Sequence, residues 1–128
     1  MPAAEEILTL NRRLLDAITA GDWKVYEDLC DPQLTCFEPE ARGHLVEGMK
    51  FHRFYFDLGG FNEPKNTTVV SPNVRFCGDD VAIVAYIRLT QKVDSEGRPT
   101  TSAMEETRIW RRVSGQWRHV HFHRSAPG

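Results

Sequence analysis

The chain has 128 residues, 41 % of them hydrophobic and 27 % charged, which is the make-up of one compact soluble domain spanning residues 1–128. A net charge of −2 provides no basic field to hold a phosphate backbone, so a nucleic-acid partner is not expected. Cys30, Cys36 and Cys77 form an odd set without a CxxC pair, which argues against a disulfide framework or a structural zinc and favours a reducing, cytoplasmic setting.

The N-terminus, MPAAEEILTLNRR, is acidic and amphipathic, unlike an export signal. No apolar run approaches the roughly 20 residues of a membrane span, so no membrane partner is expected either. Ile7, Leu8, Leu10, Leu14, Leu15 and Ile18 recur at helical spacing and predict an amphipathic helix ending near Gly21. Gly21-Asp22 supplies a stop and a new N-cap, and Trp23 to Cys30 predicts a short second helix. Leu34 to Pro39 reads as a short strand, and Leu45 to Gly60 as a third helix ended by paired glycines. From Asn66 onward the period changes to two, in segments 66–77, 80–93, 100–113 and 116–125, separated by GDD, DSEGRP and SG.

Helices followed by an antiparallel meander indicate an α+β domain in which a curved, antiparallel or mixed sheet wraps N-terminal helices. The architecture this suits is the cone of the NTF2-like (cystatin-like) class, by analogy of fold. Within the last strand, HVHFHRS sets His119, His121 and His123 on one face, about 7 Å apart in succession. Collinear ligands of that kind converge poorly on one ion, so these histidines are expected to face a neighbouring strand surface or a subunit, and no metal is assigned. Val120, Phe122 and Arg124 are then expected to face the cavity.

Arg88, Arg108 and Arg124 each fall inside a different one of the last three strands. A DSEGRP hairpin centred near Gly97–Arg98 sets Arg88 opposite Arg108. For the SG hairpin two registers are open. A two-residue loop separates Arg124 from the Arg108 face, whereas a three-residue bulged loop unites them, with Trp110 and Phe122. Buried guanidinium groups need partners. Glu38, Glu40, Glu105 and Glu106 are available as internal counter-ions, and a small carboxylate or other anion held by bidentate hydrogen bonds is the functional alternative; the two can coexist. His52, with Tyr55 and Phe56 one turn on, is expected to face a partly apolar pocket. His52, Tyr55, Glu38 and Glu106 form a conceivable acid–base set, but no spacing rule selects them and no catalytic residue is assigned. GxGxxG, P-loop, HExxH and GxSxG motifs are absent, and no cofactor is expected.

The stretches LCDPQLTCFEPEARGHLVEGMKFHRFYFD, VAIVAYIRLTQ and EETRIWRRVSGQWRHVHFHRS, within a likeness running from about Glu6 to Pro127, resemble the association (hub) domain of calcium/calmodulin-dependent protein kinase II. The resemblance implies an NTF2-like fold whose subunits pair and stack into a two-tiered ring, a dodecamer or tetradecamer. It also implies a deep cavity lined by arginines that holds small carboxylates. Carried over position by position, the arginines of AYIR, EETR and HFHRS are Arg88, Arg108 and Arg124, and FHRFYF contributes His52 and Tyr55; this favours the bulged register. The chain departs from the family in starting with its own methionine, without kinase or calmodulin-binding segments, and in a short, glycine-rich loop, DLGGFNEPKN. His119 stands where the family does not usually have histidine. The expected function is a homo-oligomeric scaffold with an anion pocket and no kinase activity, its interfaces drawn from Phe51, Phe54, Phe56, Phe61 and Trp117. The alternative is a stand-alone SnoaL-like or ketosteroid-isomerase-like enzyme using the same cavity.

Overall fold

The structure, a computed structural model, describes residues 3–128. Helix α1 (Ala4–Ala20) buries Ile7, Asn11, Leu14, Leu15 and Ala17 along one stripe. It stops at Gly21, whose φ of 70° places it in the left-handed region that glycine occupies at little cost. Asp22 then caps α2 (Trp23–Leu29), its carboxylate accepting the Val25 amide at 3.2 Å.

The chain continues into β1 (Cys30–Phe37), a 3₁₀ turn (Pro39–Ala41) and the two-residue β2 (Val46–Glu47), and only then into α3 (Lys50–Leu58). The third helix is therefore shorter than the Leu45–Gly60 reading. Val46 and Glu47 pair with Cys36 and Thr35 of β1, and the Gly48 amide donates to the Leu34 carbonyl at 2.7 Å. These ladder bonds, with Gly48 at a φ of 80°, hold the segment out of helix.

Strands β3 (Lys65–Phe76), β4 (Val81–Val93), β5 (Pro99–Val113) and β6 (Gln116–Ser125) form the expected meander. The six-stranded order is β2-β1-β6-β5-β4-β3, antiparallel throughout except that β1 runs parallel to β6. Pro72 is accommodated because β3 is an edge strand with a register shift between Val70 and Asn73. The concave face closes on α1 and α2 around Leu14, Leu15, Tyr26, Leu34, Val84, Trp110 and Phe122. Among the described residues no helix is long and apolar enough to cross a membrane.

Two registers differ from expectation in an instructive way. The β4–β5 turn is centred about two residues earlier, on Glu96, pairing Val93 with Pro99, because Asp94 accepts the Glu96 and Arg98 amides at 2.9 Å. Arg88 consequently lies opposite Met104, and Arg108 opposite Val84. The displacement moves partners by an even number of residues, so both arginines keep the concave face. In the β5–β6 hairpin both anticipated registers occur in one ladder. Ser114 and Gly115 make a two-residue turn with positive φ at both positions, and pairing runs Val113↔Gln116 to Trp110↔His119. A bulge at Val120 then shifts it to Ile109↔His121, Arg108↔Phe122 and Glu106↔Arg124.

That bulge corrects the reading of the three histidines. His119 turns inward, wholly buried, stacked at 5.5 Å on Phe122 and 5.3 Å from Trp110. His121 and His123 stay on the other face, against Phe37. Val120, the extra residue, is not among those lining the cavity.

A candidate anion pocket in the cone

Between the sheet and the helices lies a cavity of about 430 Å³, and Arg88, Arg108, Arg124, His52 and Tyr55 all line it. Its deep end is built on alternate residues of neighbouring strands, Tyr86 and Arg88 on β4 with Glu106 and Arg108 on β5. Glu106 is the common acceptor. Its Oε1 receives the Tyr86 hydroxyl at 2.6 Å and Arg108 Nη2 at 3.1 Å, and its Oε2 receives Arg88 Nη1 at 3.0 Å. The Tyr86 oxygen accepts from Asn11 Nδ2 and from Arg108 Nε, while Asn11 Oδ1 accepts from Trp110 Nε1 at 3.0 Å. Arg108, only 1 % exposed, also stacks over Phe122 at 4.4 Å.

Burial alone would oppose the charge on Glu106, but Arg108 and Arg88 outweigh it and hold its carboxyl down at about 2. Burial likewise works against Arg108, yet Glu106 and Tyr86 raise it above its ordinary value. The deep end thus stays ionised and internally paired. Arg108 Nη1 also lies 3.5 Å from His119 Nε2, and a guanidinium can only donate, which assigns the ring proton to Nδ1, 3.5 Å from the Cys30 sulfur.

Arg124, on β6, reaches Glu40 Oε2 at 2.6 Å and Glu38 Oε2 at 3.4 Å, both brought in around the 3₁₀ turn after β1. Burial raises Glu38, with Arg124 opposing; at Glu40 burial is overcome by the Arg124 hydrogen bond, which lowers it. His52 points inward from α3, its Nδ1 4.0 Å from Glu38 Oε1 and its Nε2 3.8 Å from the Cys36 sulfur. Burial, reinforced by Arg108 and Arg124, pushes His52 down to about 4, so the ring is neutral near pH 7. Tyr55 stands at the mouth, 39 % exposed, with its ring edge-on to Phe51 at 5.2 Å.

Among the described residues, three ligand-type groups converge at Cys36, Glu38 and His52, rather than at the histidines of HVHFHRS. The surroundings oppose a cation there. Burial pushes the Cys36 thiol up to about 12, and Arg108 and Arg124 bear on the same point.

Sequence reasoning located the arginines and named Glu106 among their counter-ions, but it set His119 on the outward face and missed Asn11, Tyr86 and the cavity lysines Lys65 and Lys92. A polar Asn11 inside the Ile7–Leu14–Leu15 stripe was the available signal for the first. Tyr86 and Arg88 following Ala82 and Val84 on one face of β4 was the signal for the second.

Residues 3–128 match the family profile described as the calcium/calmodulin dependent protein kinase II association domain. The chain is 52 % identical over 123 residues to the delta subunit of calcium/calmodulin-dependent protein kinase type II from Oryctolagus cuniculus, covering 94 % of this chain and 23 % of that protein. The kinase hub homology domain of Chlamydamonas reinhardtii superposes with a TM-score of 0.93 at 49 % identity, covering 99 % of this chain and 100 % of that one. The association domain of the C. elegans kinase superposes with 0.91 at 47 % identity, over 95 % and 94 %. An NTF2-like protein from Rhodospirillum rubrum, 26 % identical with a TM-score of 0.77 over 95 % of this chain and 98 % of that one, shares the fold.

Proposed function

The chain belongs to the calcium/calmodulin-dependent protein kinase II association-domain family, and from that membership we propose that residues 1–128 act as a self-associating hub whose cavity receives a small anion. The family match over residues 3–128 carries the scaffold reading. Apolar area left at the surface supports it: Leu45, Phe54 and Leu58 are 45 %, 58 % and 65 % exposed. Of the interface candidates read from sequence, Phe54 best fits that role, whereas Trp117 is buried and Phe51 and Phe56 pack against the core. A two-fold contact combined with a rotational one closes a two-tiered ring of about a dozen subunits. His121, His123 and Phe37 form a further candidate contact on the outer face. The buried, unpaired thiols Cys30 and Cys36 suit a reducing, cytoplasmic setting. Native mass spectrometry tests the scaffold; a stable monomer at micromolar concentration overturns it.

The anion reading rests on Arg88, Arg108 and Arg124 sharing one cavity with a neutral His52 and Tyr55. Removing Arg108 would empty the core, so the informative variant is Arg88→Ala, which leaves Glu106 paired. Titration calorimetry with octanoate is expected to lose at least tenfold in affinity in that variant; equal affinity refutes the assignment.

One observation favours a second reading, acid–base catalysis in a SnoaL-like or ketosteroid-isomerase-like manner. Glu38 is a carboxyl raised by burial, 4.0 Å from a neutral histidine inside a cavity. A turnover screened against small carbonyl compounds that vanishes in Glu38→Gln would establish it, and no turnover in the wild type would dismiss it.

A further inference from the structure

Positive charge in the cavity is not free where the arginines are. Around the cavity Arg88, Arg108 and Arg124 meet Glu106, Glu38 and Glu40, three against three, and each guanidinium is in an ion pair. The remaining ionised groups of the lining are Lys65 and Lys92. Among the ion pairs of the described residues, neither ammonium has a carboxylate partner. The uncompensated charge of the cavity therefore sits at these two lysines.

Lys65 opens β3, Lys92 lies near the end of β4, and the two are direct cross-strand partners. Like charges in that relation repel. Lysines on an edge strand commonly serve to discourage pairing with another sheet, and β3 is such a strand. That role does not require them to line a cavity, and it does not draw Lys65 Nζ over the Phe61 ring, at 5.4 Å, where Phe61 is itself part of the lining. Arg88, Thr90 and Lys92 follow one another on the same face of β4, with Met104 opposite Arg88 and Ser102 opposite Thr90. Lys92 is about 13 Å of strand from Arg88, whose guanidinium leans the other way to Glu106, so a ligand that touches both must be a linear molecule of about that reach, as a medium-chain diacid with its two hydrogen-bonded heads is. The surface between them, Phe61, Met104 and Thr90, is mostly apolar. At the inner end, Arg88 Nε is buried with no protein acceptor.

We propose that the cavity is a site for a linear α,ω-dicarboxylate, one carboxylate taken by the Arg88 fork and the other held between Lys65 and Lys92 at the mouth. The inference rests on the anion-pocket reading and narrows it from small anions to two-headed ones. The second carboxylate relieves the Lys65–Lys92 repulsion, and the apolar linker packs where a hydrated dianion would not.

Titration calorimetry on the assembled protein with suberate and with octanoate, which share a carbon count, separates the two levels. Suberate is expected to bind at least tenfold more tightly than octanoate in the wild type. Lys65→Gln combined with Lys92→Gln should erase that advantage and leave octanoate affinity unchanged. Lys92→Glu, which gives Lys65 an internal partner, should weaken suberate further, with folding followed by circular dichroism. Octanoate binding as tightly as suberate, or an advantage surviving in the double variant, overturns the two-headed site while leaving the anion pocket intact. Binding of neither acid overturns both.

Discussion

The two ends of the cavity carry similar charged groups yet use them differently. At the deep end Glu106, Arg88 and Arg108 are shielded from water, Glu106 binds both guanidinium groups directly, and Tyr86 ties the cluster to Asn11 and Trp110. At the mouth Lys65 and Lys92 stand opposite one another with no carboxylate, and Arg124 shares Glu38 and Glu40 beside solvent. Charges buried where the dielectric is low must be satisfied by the chain itself, so they fix the sheet on the helix. Charges near water cost little when unpaired, and so remain available to a ligand.

The sharpest test of that division is Glu106→Ala, which strands a buried guanidinium; a loss of about 3–5 kcal/mol is expected in urea denaturation. A loss below about 1 kcal/mol would erase the distinction between the two ends. Acid should act first on the deep histidines. His52 has a folded-state pKa of about 4 against an ordinary 6.5, so as pH falls the unfolded chain takes up the proton first, and stability declines from pH 6.5 to about 4. The decline is roughly 3 kcal/mol from this group, and His119, held lower by burial and by Arg108, adds to it. Glu106 contributes stability that is present above pH 4.5 and lost as pH falls towards about 2. His52→Gln should flatten the upper window in a pH series of melts while leaving the lower one.

Smaller effects belong to the mouth. Gly21→Ala puts a methyl into the Phe61 ring at a φ of +70°, for a loss of about 1–2 kcal/mol in thermal melts and a displaced cavity rim. Arg124→Ala should cost no more than about 1 kcal/mol in denaturant, because its closer partner, Glu40, is part-exposed. Arg124→Ala approaching the Glu106→Ala loss would mean that the network extends unbroken from one end to the other.

Much of the fold was legible because its signals are local. Gly21-Asp22 punctuates two helices, and the period-two stretches after Asn66 become strands within one residue of their expected limits. Leu45 to Met49 was misread as helix because its pairing partners, Thr35 and Cys36, lie on β1, a contact that helical periodicity does not encode. Of the site, Arg88 and Arg108 were placed on one face even though their supposed pairing was wrong. Lys65 and Lys92 escaped notice because their facing depends on a bulged edge strand.

What the sequence by itself determined is which face each strand residue takes between bulges and where each helix begins and stops, since alternation and capping act over a few residues. What only the tertiary structure decided is which charge meets which. Asp94 moved one turn, Val120 added one residue to β6, and α1 delivered Asn11 from a distant part of the chain. His119 went inward for the same reason: the bulge that aligns Arg124 with Glu106 also turns His119 onto Trp110, and burial of those side chains holds the register that local geometry leaves open.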